Sequence, residues 1–151
     1  MTETSGVPTM LGHIALRVRD VDRAAAFYRD ALGLTLKMRR GPMAFLGSRA
    51  DASHEIALFP LPAEAEGPDP NRVGMYHMAW EMASFEDLER LHQRLVDQKV
   101  KIVGYSDGQC NVMFHDPDGN ELEAIWEPSE EVAAKLKESG GMPKLERVAG
   151  L

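Results

Sequence analysis

The chain has 151 residues, of which 44% are hydrophobic and 27% charged, a composition typical of globular proteins rather than of disordered ones. Its length suits one domain with a sizeable core, so we expect residues 1–151 to form a single domain. The formal net charge of −7 argues against nucleic-acid binding through a basic face. Cys110 is the only cysteine, which excludes an intrachain disulfide and a cysteine-rich zinc module.

The sequence carries no signal that would direct the chain to a membrane. Its start, MTETSGVPTML, lacks the basic residues and the sustained apolar run of a signal peptide. No later segment has about 18 uninterrupted apolar residues, the length that a helix needs to cross a bilayer. We therefore expect a cytoplasmic protein that has no membrane partner.

From His13 onward the sequence predicts a strand, a helix and three further strands. HIALRV alternates as a half-buried strand does, and DVDRAAAFYRDALG carries an apolar stripe at helical spacing that ends at Gly33. LTLKM, MAFLG and EIALF are short strand-like runs separated by turn-rich pieces. Residues 11–62 are therefore predicted to form one βαβββ module.

The same order of elements returns after a linker at residues 63–74 that is rich in Pro and Gly. YHMAWEM predicts a strand, and SFEDLERLHQRLVDQ predicts a helix that begins with a capping box formed by Ser84 and Asp87. KIVGYS, NVMFH and ELEAIW predict three more strands, and DPDGN is the turn between the last two. Residues 75–128 thus predict a second βαβββ module, and a helix and tail follow at 129–151.

The repeat predicts the fold class. His13 and His77 occupy the same place in the two modules, and the apolar positions of the two predicted helices superpose at this offset of about 64 residues. Such a period is too long for a usual solenoid. We expect an α+β fold in which two tandem modules form a cup-shaped mixed sheet around a shared cavity, with a short C-terminal helix.

Three polar residues stand out in the predicted strands. His13 and His77 are unusual choices for core strands, and Glu123 faces the side opposite the apolar set of Leu122 and Ala124. Each alone would more often be structural or solvent-exposed, but a metal would compensate a buried carboxylate. Two imidazoles and one carboxylate form a ligand set that leaves adjacent positions free. We predict that His13, His77 and Glu123 bind one divalent metal in a catalytic type of site.

Two sequence motifs resemble a known family. GHIALRVRDVDRAAAFYRDALGL resembles the opening module of the vicinal oxygen chelate superfamily, which includes glyoxalases, bleomycin-resistance proteins and extradiol dioxygenases. FHDPDGNELEAIW resembles its closing motif, whose metal-binding carboxylate corresponds to Glu123. By this resemblance, which covers about residues 11–128, His13 and His77 match the first-strand ligands of the two modules. The resemblance implies a metal-dependent enzyme and a homodimer. Bleomycin-resistance relatives bind a drug without these ligands, so the presence of all three residues favours a metal enzyme, and a non-catalytic binder of a small molecule or antibiotic is a further alternative.

The extradiol dioxygenase branch is favoured by the segment SHEIALF, which is similar to one that carries a catalytic histidine in that branch. His54 matches this histidine, whose role there is proton transfer, for which an imidazole is suited near neutral pH. The resemblance implies Fe(II), dioxygen and a catechol-like aromatic substrate with vicinal oxygens. Two departures are that the branch's tyrosine falls on Met113 and that a further histidine falls near Gly108. His115 could substitute, although we expect it to face solvent beside the turn.

A glyoxalase-like lyase or isomerase is the alternative enzyme. Its fourth ligand would be a carboxylate of the first module, for which Glu55 is the candidate, and its metal would be Mn, Ni, Co or Zn. Strand alternation turns Glu55 rather than His54 into the cup, whereas the dioxygenase resemblance favours His54. Local comparison with glyoxalases puts Ala57 at the fourth-ligand position. We therefore favour the dioxygenase and leave open which of His54 and Glu55 faces the site.

The remaining residues that could have a functional role are expected to be mainly structural. His92 is expected at the surface because its neighbours on the second predicted helix are charged. Five apolar side chains are candidates for a pocket that accepts an aromatic ring, although such residues are more often core: Phe45, Phe59, Met75, Trp80 and Tyr105.

Overall fold

The computed structural model describes residues 6–108 and 110–151, which form two four-stranded mixed sheets and three helices. The first sheet has the order β1-β4-β3-β2 and consists of β1 (Ile14–Val18), β2 (Thr35–Arg40), β3 (Met43–Gly47) and β4 (Ile56–Pro60). The second has the order β5-β8-β7-β6 and consists of β5 (His77–Glu81), β6 (Ile102–Gly104), β7 (Asn111–His115) and β8 (Glu121–Ile125). The helices are α1 (Val21–Asp30), α2 (Phe85–Asp97) and α3 (Glu130–Ser139).

The two sheets repeat one topology, which confirms the predicted α+β fold of tandem βαβββ modules. In each sheet the first strand pairs in parallel with the fourth, and the other pairs are antiparallel. A helix follows the first strand in both modules and begins 64 residues later in the second, at Val21 and at Phe85. Within the described residues, the strand-to-strand hydrogen bonds stay inside each module.

The start of each helix is fixed by a capping side chain. Asp20 accepts a hydrogen bond from the backbone N–H of Arg23 at 2.9 Å. Ser84 accepts one from the N–H of Asp87 at 3.1 Å and donates its hydroxyl to the Asp87 carboxylate at 2.8 Å. Such bonds satisfy amide donors that the first turn of a helix leaves free, and they confirm the predicted capping box in the second module.

One hydrophobic core is shared by the two modules. Apolar side chains from α1 and α2 and from the inner faces of both sheets belong to a single buried cluster. The rings of Phe27 and Phe114, from different modules, lie 6.3 Å apart. The guanidinium of Arg94 donates to the carbonyl of Ala31 at 3.3 Å, which ties α2 to the end of α1. The opposite face of each sheet is left outside the core.

A buried hydrogen bond also joins the modules. The hydroxyl of Tyr28, in α1, donates to Asp116 Oδ2 at 2.9 Å, and the Asn120 side-chain amide donates to the same oxygen. Asp116 Oδ1 accepts the backbone N–H groups of Asp118 and Asn120, so the carboxylate organises the DPDGN turn. Burial and the Asp116 charge raise the pKa of Tyr28 well above its ordinary value, so the phenol stays a donor.

The prediction that His92 lies at the surface is wrong. Only 8% of His92 is exposed, and its Nε2 lies 2.9 Å from the Tyr105 hydroxyl. The same hydroxyl accepts the backbone N–H of Val148 at 3.1 Å, and Leu145 is also buried. The C-terminal tail therefore packs on the second module and covers this part of α2. Desolvation by this burial lowers the pKa of His92.

None of the helices in residues 6–108 and 110–151 combines the length and apolar character that crossing a membrane requires.

Replacement of Tyr28 tests the bond between the modules. Tyr28→Phe should lower the free energy of unfolding by about 1.5–3 kcal/mol, because a buried hydrogen bond to a charged group is lost. Tyr76→Phe is the matched control, since Tyr76 is 74% exposed, and should change stability by less than about 0.5 kcal/mol. Urea denaturation at pH 7 measures both values. Equal stability of the two variants would show that the Tyr28–Asp116 bond contributes nothing.

Candidate metal site

Two of the three predicted ligands meet on the open face of the second sheet. His77 begins β5, and Glu123 lies in the middle of the neighbouring parallel strand β8. His77 Nε2 is 3.2 Å from Glu123 Oε2. Leu122 and Ala124 are fully buried in the core, so strand alternation turns Glu123 to the opposite face, as the sequence predicted. The side chains of His77 and Glu123 are 29% and 13% exposed, so the pair is sheltered but reachable.

The second oxygen of Glu123 is held by a residue that the sequence analysis missed. The amide of Asn111 donates to Glu123 Oε1, and Asn111 Oδ1 accepts the backbone N–H of Ser106 at 2.6 Å. Asn111 is buried, so both ends of its amide are used inside the protein. This arrangement leaves Oε2 directed at His77. The only signal in the sequence was a polar residue at the start of an apolar strand.

The same sheet face carries a second carboxylate and a further histidine. Glu121 Oε1 lies 3.9 Å from His77 Nδ1, and Glu121 Oε2 lies 3.6 Å from His115 Nε2. His115 is half-buried against Glu121, so the expectation that it faces solvent beside the turn is corrected. His115 is the last residue of β7 and pairs with Glu121 of β8. Its place beside the turn in the sequence did not reveal this contact between strands.

His13, the third predicted ligand, lies with His54 at the first sheet. His13 immediately precedes β1, and its ring centroid is 4.7 Å from that of His54. His54 also meets the edge of Phe45 at 5.0 Å, and Phe45 lies 6.4 Å from Phe59. Ser53 Oγ is 3.0 Å from His54 Nδ1. The four rings, His13, His54, Phe45 and Phe59, form an aromatic row on the first module.

Glu55 lines a cleft together with His13, but its carboxylate is bound by neighbouring residues of the first module. Its Oε2 accepts the backbone N–H of Ser48 at 2.9 Å, and its Oε1 lies 3.4 Å from the Ser48 hydroxyl and 4.0 Å from Arg49 Nε. A side chain at Gly47 would collide with Oε2, so the glycine makes room for the carboxylate. Glu55 thus braces the connection between β3 and β4. Simple alternation did not predict this, because Glu55 precedes the first residue of β4.

The described residues fit half of the predicted metal site. His77 and Glu123 present one imidazole nitrogen and one carboxylate oxygen to a common point, which is chemistry that a divalent metal requires. Within residues 6–108 and 110–151, however, no three His, Cys, Asp or Glu side chains gather closely enough to hold a metal ion. The structure therefore brings His77 to Glu123 and His13 to His54, but does not join the two groups.

Two clefts border the strands that begin the modules. One, of about 160 Å³, is lined by residues of both modules, including His13, Ala79 and Trp80. A larger groove of about 680 Å³ runs along β1 and is lined by Phe59 and Met75. Of the side chains expected to line one pocket, Phe59 and Met75 line the groove and Trp80 lines the smaller cleft. Phe45 belongs to the aromatic row, and Tyr105 packs against His92.

Comparison with known proteins identifies the family. The sequence model of one protein family, the Glyoxalase/Bleomycin resistance protein/Dioxygenase superfamily, matches residues 10–124. A manganese-dependent 2,3-dihydroxybiphenyl 1,2-dioxygenase of Geobacillus genomosp. 3 is 28% identical over 134 residues, which are 85% of this chain and 40% of that protein. The glutathione transferase FosA of Serratia marcescens is 32% identical over 117 residues, which are 75% of this chain and 77% of FosA. This chain thus spans less than half the length of the dioxygenase.

Solved structures share the fold. A glyoxylase/bleomycin resistance protein/dioxygenase domain from Frankia sp. EAN1pec superposes with a TM-score of 0.69 at 23% identity, covering 81% of this chain and all of that one. The fosfomycin resistance protein FosX of Listeria monocytogenes, in complex with Mn(II) and sulfate, superposes with a TM-score of 0.63 at 17% identity. The match covers 85% of this chain and 98% of FosX. With the paired modules, the match over residues 10–124 shows that the chain belongs to the glyoxalase/bleomycin resistance protein/dioxygenase superfamily.

Proposed function

We propose that the protein is a metal-dependent extradiol dioxygenase that opens the ring of a catechol-like substrate. His13, His77 and Glu123 are the proposed ligands, and His54 is the proposed acid-base group. The observation that carries the proposal is the position of His54 against His13, while the carboxylate of Glu55 is held by Ser48. A histidine beside the ligand fits the dioxygenase, whereas the lyase requires Glu55 to be free. The manganese-dependent dioxygenase among the relatives supports the same class.

The proposed donor set suits a divalent metal with open coordination positions. His13, His77 and Glu123 would hold the ion, and a bound metal would supply open positions that can take the vicinal oxygens of the substrate and dioxygen. Fe(II) is the metal that the sequence resemblance implies. Mn(II) is the second metal to test, since the dioxygenase relative is manganese-dependent and the FosX structure is a complex with Mn(II).

His54 would take the proton of a substrate hydroxyl. Ser53 engages Nδ1 of His54 at 3.0 Å, so Nε2 is the nitrogen that remains for proton transfer. An imidazole can both accept and return a proton in one turnover. Phe45 and Phe59 continue the aromatic row, and edge-to-face contact with such rings favours a flat aromatic substrate.

The relationship to FosA supports a second candidate, transfer of glutathione to a small molecule at the same metal site. This candidate accounts for Met113, which stands where the dioxygenase resemblance places a tyrosine. It requires a thiol co-substrate and no oxygen. A glyoxalase-like lyase or isomerase would also consume no oxygen, and a non-catalytic binder would turn over no substrate. Oxygen consumption therefore separates the proposal from all three.

Metal content and oxygen uptake test the proposal. Protein purified without oxygen and reloaded with Fe(II) or Mn(II) should consume oxygen with members of a catechol panel. His77→Ala and Glu123→Ala should lose most bound metal and all oxygen uptake, because each removes a ligand. Glu81→Gln removes a carboxylate from the exposed end of β5 and should keep both properties. Turnover of glutathione without oxygen, or full metal content in both ligand variants, would contradict the proposal.

Variants of His54 and Glu55 separate the two enzyme classes. His54→Ala should retain metal but lower kcat by about 100-fold or more, because a general acid-base group is lost. Glu55→Ala should retain metal, since its carboxylate braces Ser48. Metal analysis and steady-state kinetics measure both. Loss of metal in Glu55→Ala together with unchanged kcat in His54→Ala would favour the lyase.

We further propose a cytoplasmic homodimer in which a second copy supplies His13 to the pair of His77 and Glu123. Within one chain, the Tyr28–Asp116 bond and the shared core fix the modules in an arrangement that does not gather the three ligands. A two-fold dimer would form two equivalent sites of this kind. This arrangement lets the open face of one copy meet His13 of the other without breaking the core.

Mixed dimers test the source of His13. His13→Ala and Glu123→Ala should each bind little metal alone. After the two are unfolded, mixed and refolded, about a quarter of the wild-type sites should return, because half of the dimers are mixed and each has one intact site. Metal content of the mixture measures this recovery. No recovery, with both variants dimeric, would place all three ligands in one chain.

A further inference from the structure

A carboxylate outside the proposed ligand set, Glu121, lies between two histidines on the open face of the second sheet. The strand register places His77 opposite Glu121 and His115 on its other side, so the three side chains form a row across β5, β8 and β7. The carboxylate is 3.9 Å from His77 through Oε1 and 3.6 Å from His115 through Oε2. Glu121 therefore contacts the ligand histidine from the side away from Glu123.

Two facing atoms in this row are buried and unpaired. His77 Nδ1 and Glu121 Oε1 each have no hydrogen-bond partner within residues 6–108 and 110–151. Buried polar atoms nearly always find a partner, since their lost hydration is otherwise not replaced. Here the unpaired donor and the unpaired acceptor face each other, and an approach of about 1 Å would bring them to hydrogen-bond distance. His77 Nδ1 and Glu121 Oε1 are therefore close to forming a hydrogen bond with each other.

We propose that Glu121 is a positioning residue for His77, an inference that rests on the proposed metal site. In this arrangement Nδ1–H of His77 donates to Glu121 Oε1, which fixes the tautomer whose lone pair lies on Nε2, the nitrogen facing Glu123. An imidazole that binds a metal through one nitrogen typically donates the other N–H to a carboxylate or carbonyl, which orients the ring. The structure places such a carboxylate on the correct side of the ring.

His115 lies beside the other oxygen of Glu121. Its Nε2 lies 3.6 Å from Oε2, so the Glu121 carboxylate has an imidazole on each side. Glu121 itself is not a ligand in this proposal, because it faces Nδ1 and not the Nε2 edge where Glu123 lies. The two carboxylates of β8 therefore have separate roles toward one imidazole.

Metal affinity of Glu121 variants tests the proposal, with Mn²⁺ as the probe and calorimetry as the measurement. Glu121→Met removes the acceptor at similar size and should raise the Kd for Mn²⁺ about 10–100-fold. Glu121→Gln keeps one carbonyl acceptor and should recover part of this loss. Glu81→Met is the matched control, an exposed carboxylate four residues along β5 from His77, and should bind Mn²⁺ as the wild type does.

A spectroscopic measurement separates positioning from a general loss of structure. In metal-free wild type, two-bond ¹H–¹⁵N correlation spectra should show His77 protonated at Nδ1. In metal-free Glu121→Met this signal should shift toward a mixture of tautomers, while metal-free Glu121→Gln should retain more of the Nδ1–H form. A folded Glu121→Met protein whose His77 spectrum equals that of the wild type would overturn the proposal. If that variant does not fold, an unchanged Kd and an unchanged His77 spectrum in Glu121→Gln would overturn it.

The outcomes also distinguish this inference from the proposed function. If Glu123→Gln abolishes Mn²⁺ binding while both Glu121 variants bind as the wild type does, Glu121 has no positioning role and the metal site stands. If wild-type protein binds neither Mn²⁺ nor Fe²⁺, both the metal site and the role of Glu121 are wrong.

Discussion

The contact between His77 and Glu123 is the interaction on which the functional interpretation depends. Two neighbouring parallel strands hold an imidazole and a carboxylate 3.2 Å apart on the face of the sheet opposite the core. Alternation along β8 turns Glu123 to this face, because Leu122 and Ala124 lie in the core. Asn111 then binds one oxygen of Glu123, so the other is directed at His77. A pair oriented in this way costs little further ordering when an ion binds.

The first module contributes a different kind of chemistry. His13 and His54 stand together at the start of an aromatic row, and the neighbouring carboxylate of Glu55 serves the backbone of Ser48. The core and the Tyr28–Asp116 bond hold this module against the second one. The protein thus holds two separate groups, His77 with Glu123 and His13 with His54, on one frame, and the proposed activity requires them to meet across copies of the chain.

Local patterns explain which features could be predicted from the sequence. The helix starts at Asp20 and Ser84 and the facing of Glu123 follow from capping and alternation, which depend on a few neighbouring residues. The position of Glu55 does not, since alternation ends where β4 begins. The burial of His92 depends on a tail about fifty residues away, so its charged neighbours on α2 wrongly indicated an exposed side chain. The separation of His13 from the pair is likewise a matter of module packing, which motif spacing does not encode.

Diffraction from crystals grown with Mn²⁺, collected at two wavelengths on either side of the metal's absorption edge, tests the central claim most directly. The account predicts one anomalous peak per chain at about 2.2 Å from His77 Nε2, from a Glu123 oxygen and from the imidazole of His13 of a second copy. A peak that lies at other residues would contradict this prediction. So would the absence of a peak at His77 and Glu123 in crystals of metal-saturated protein.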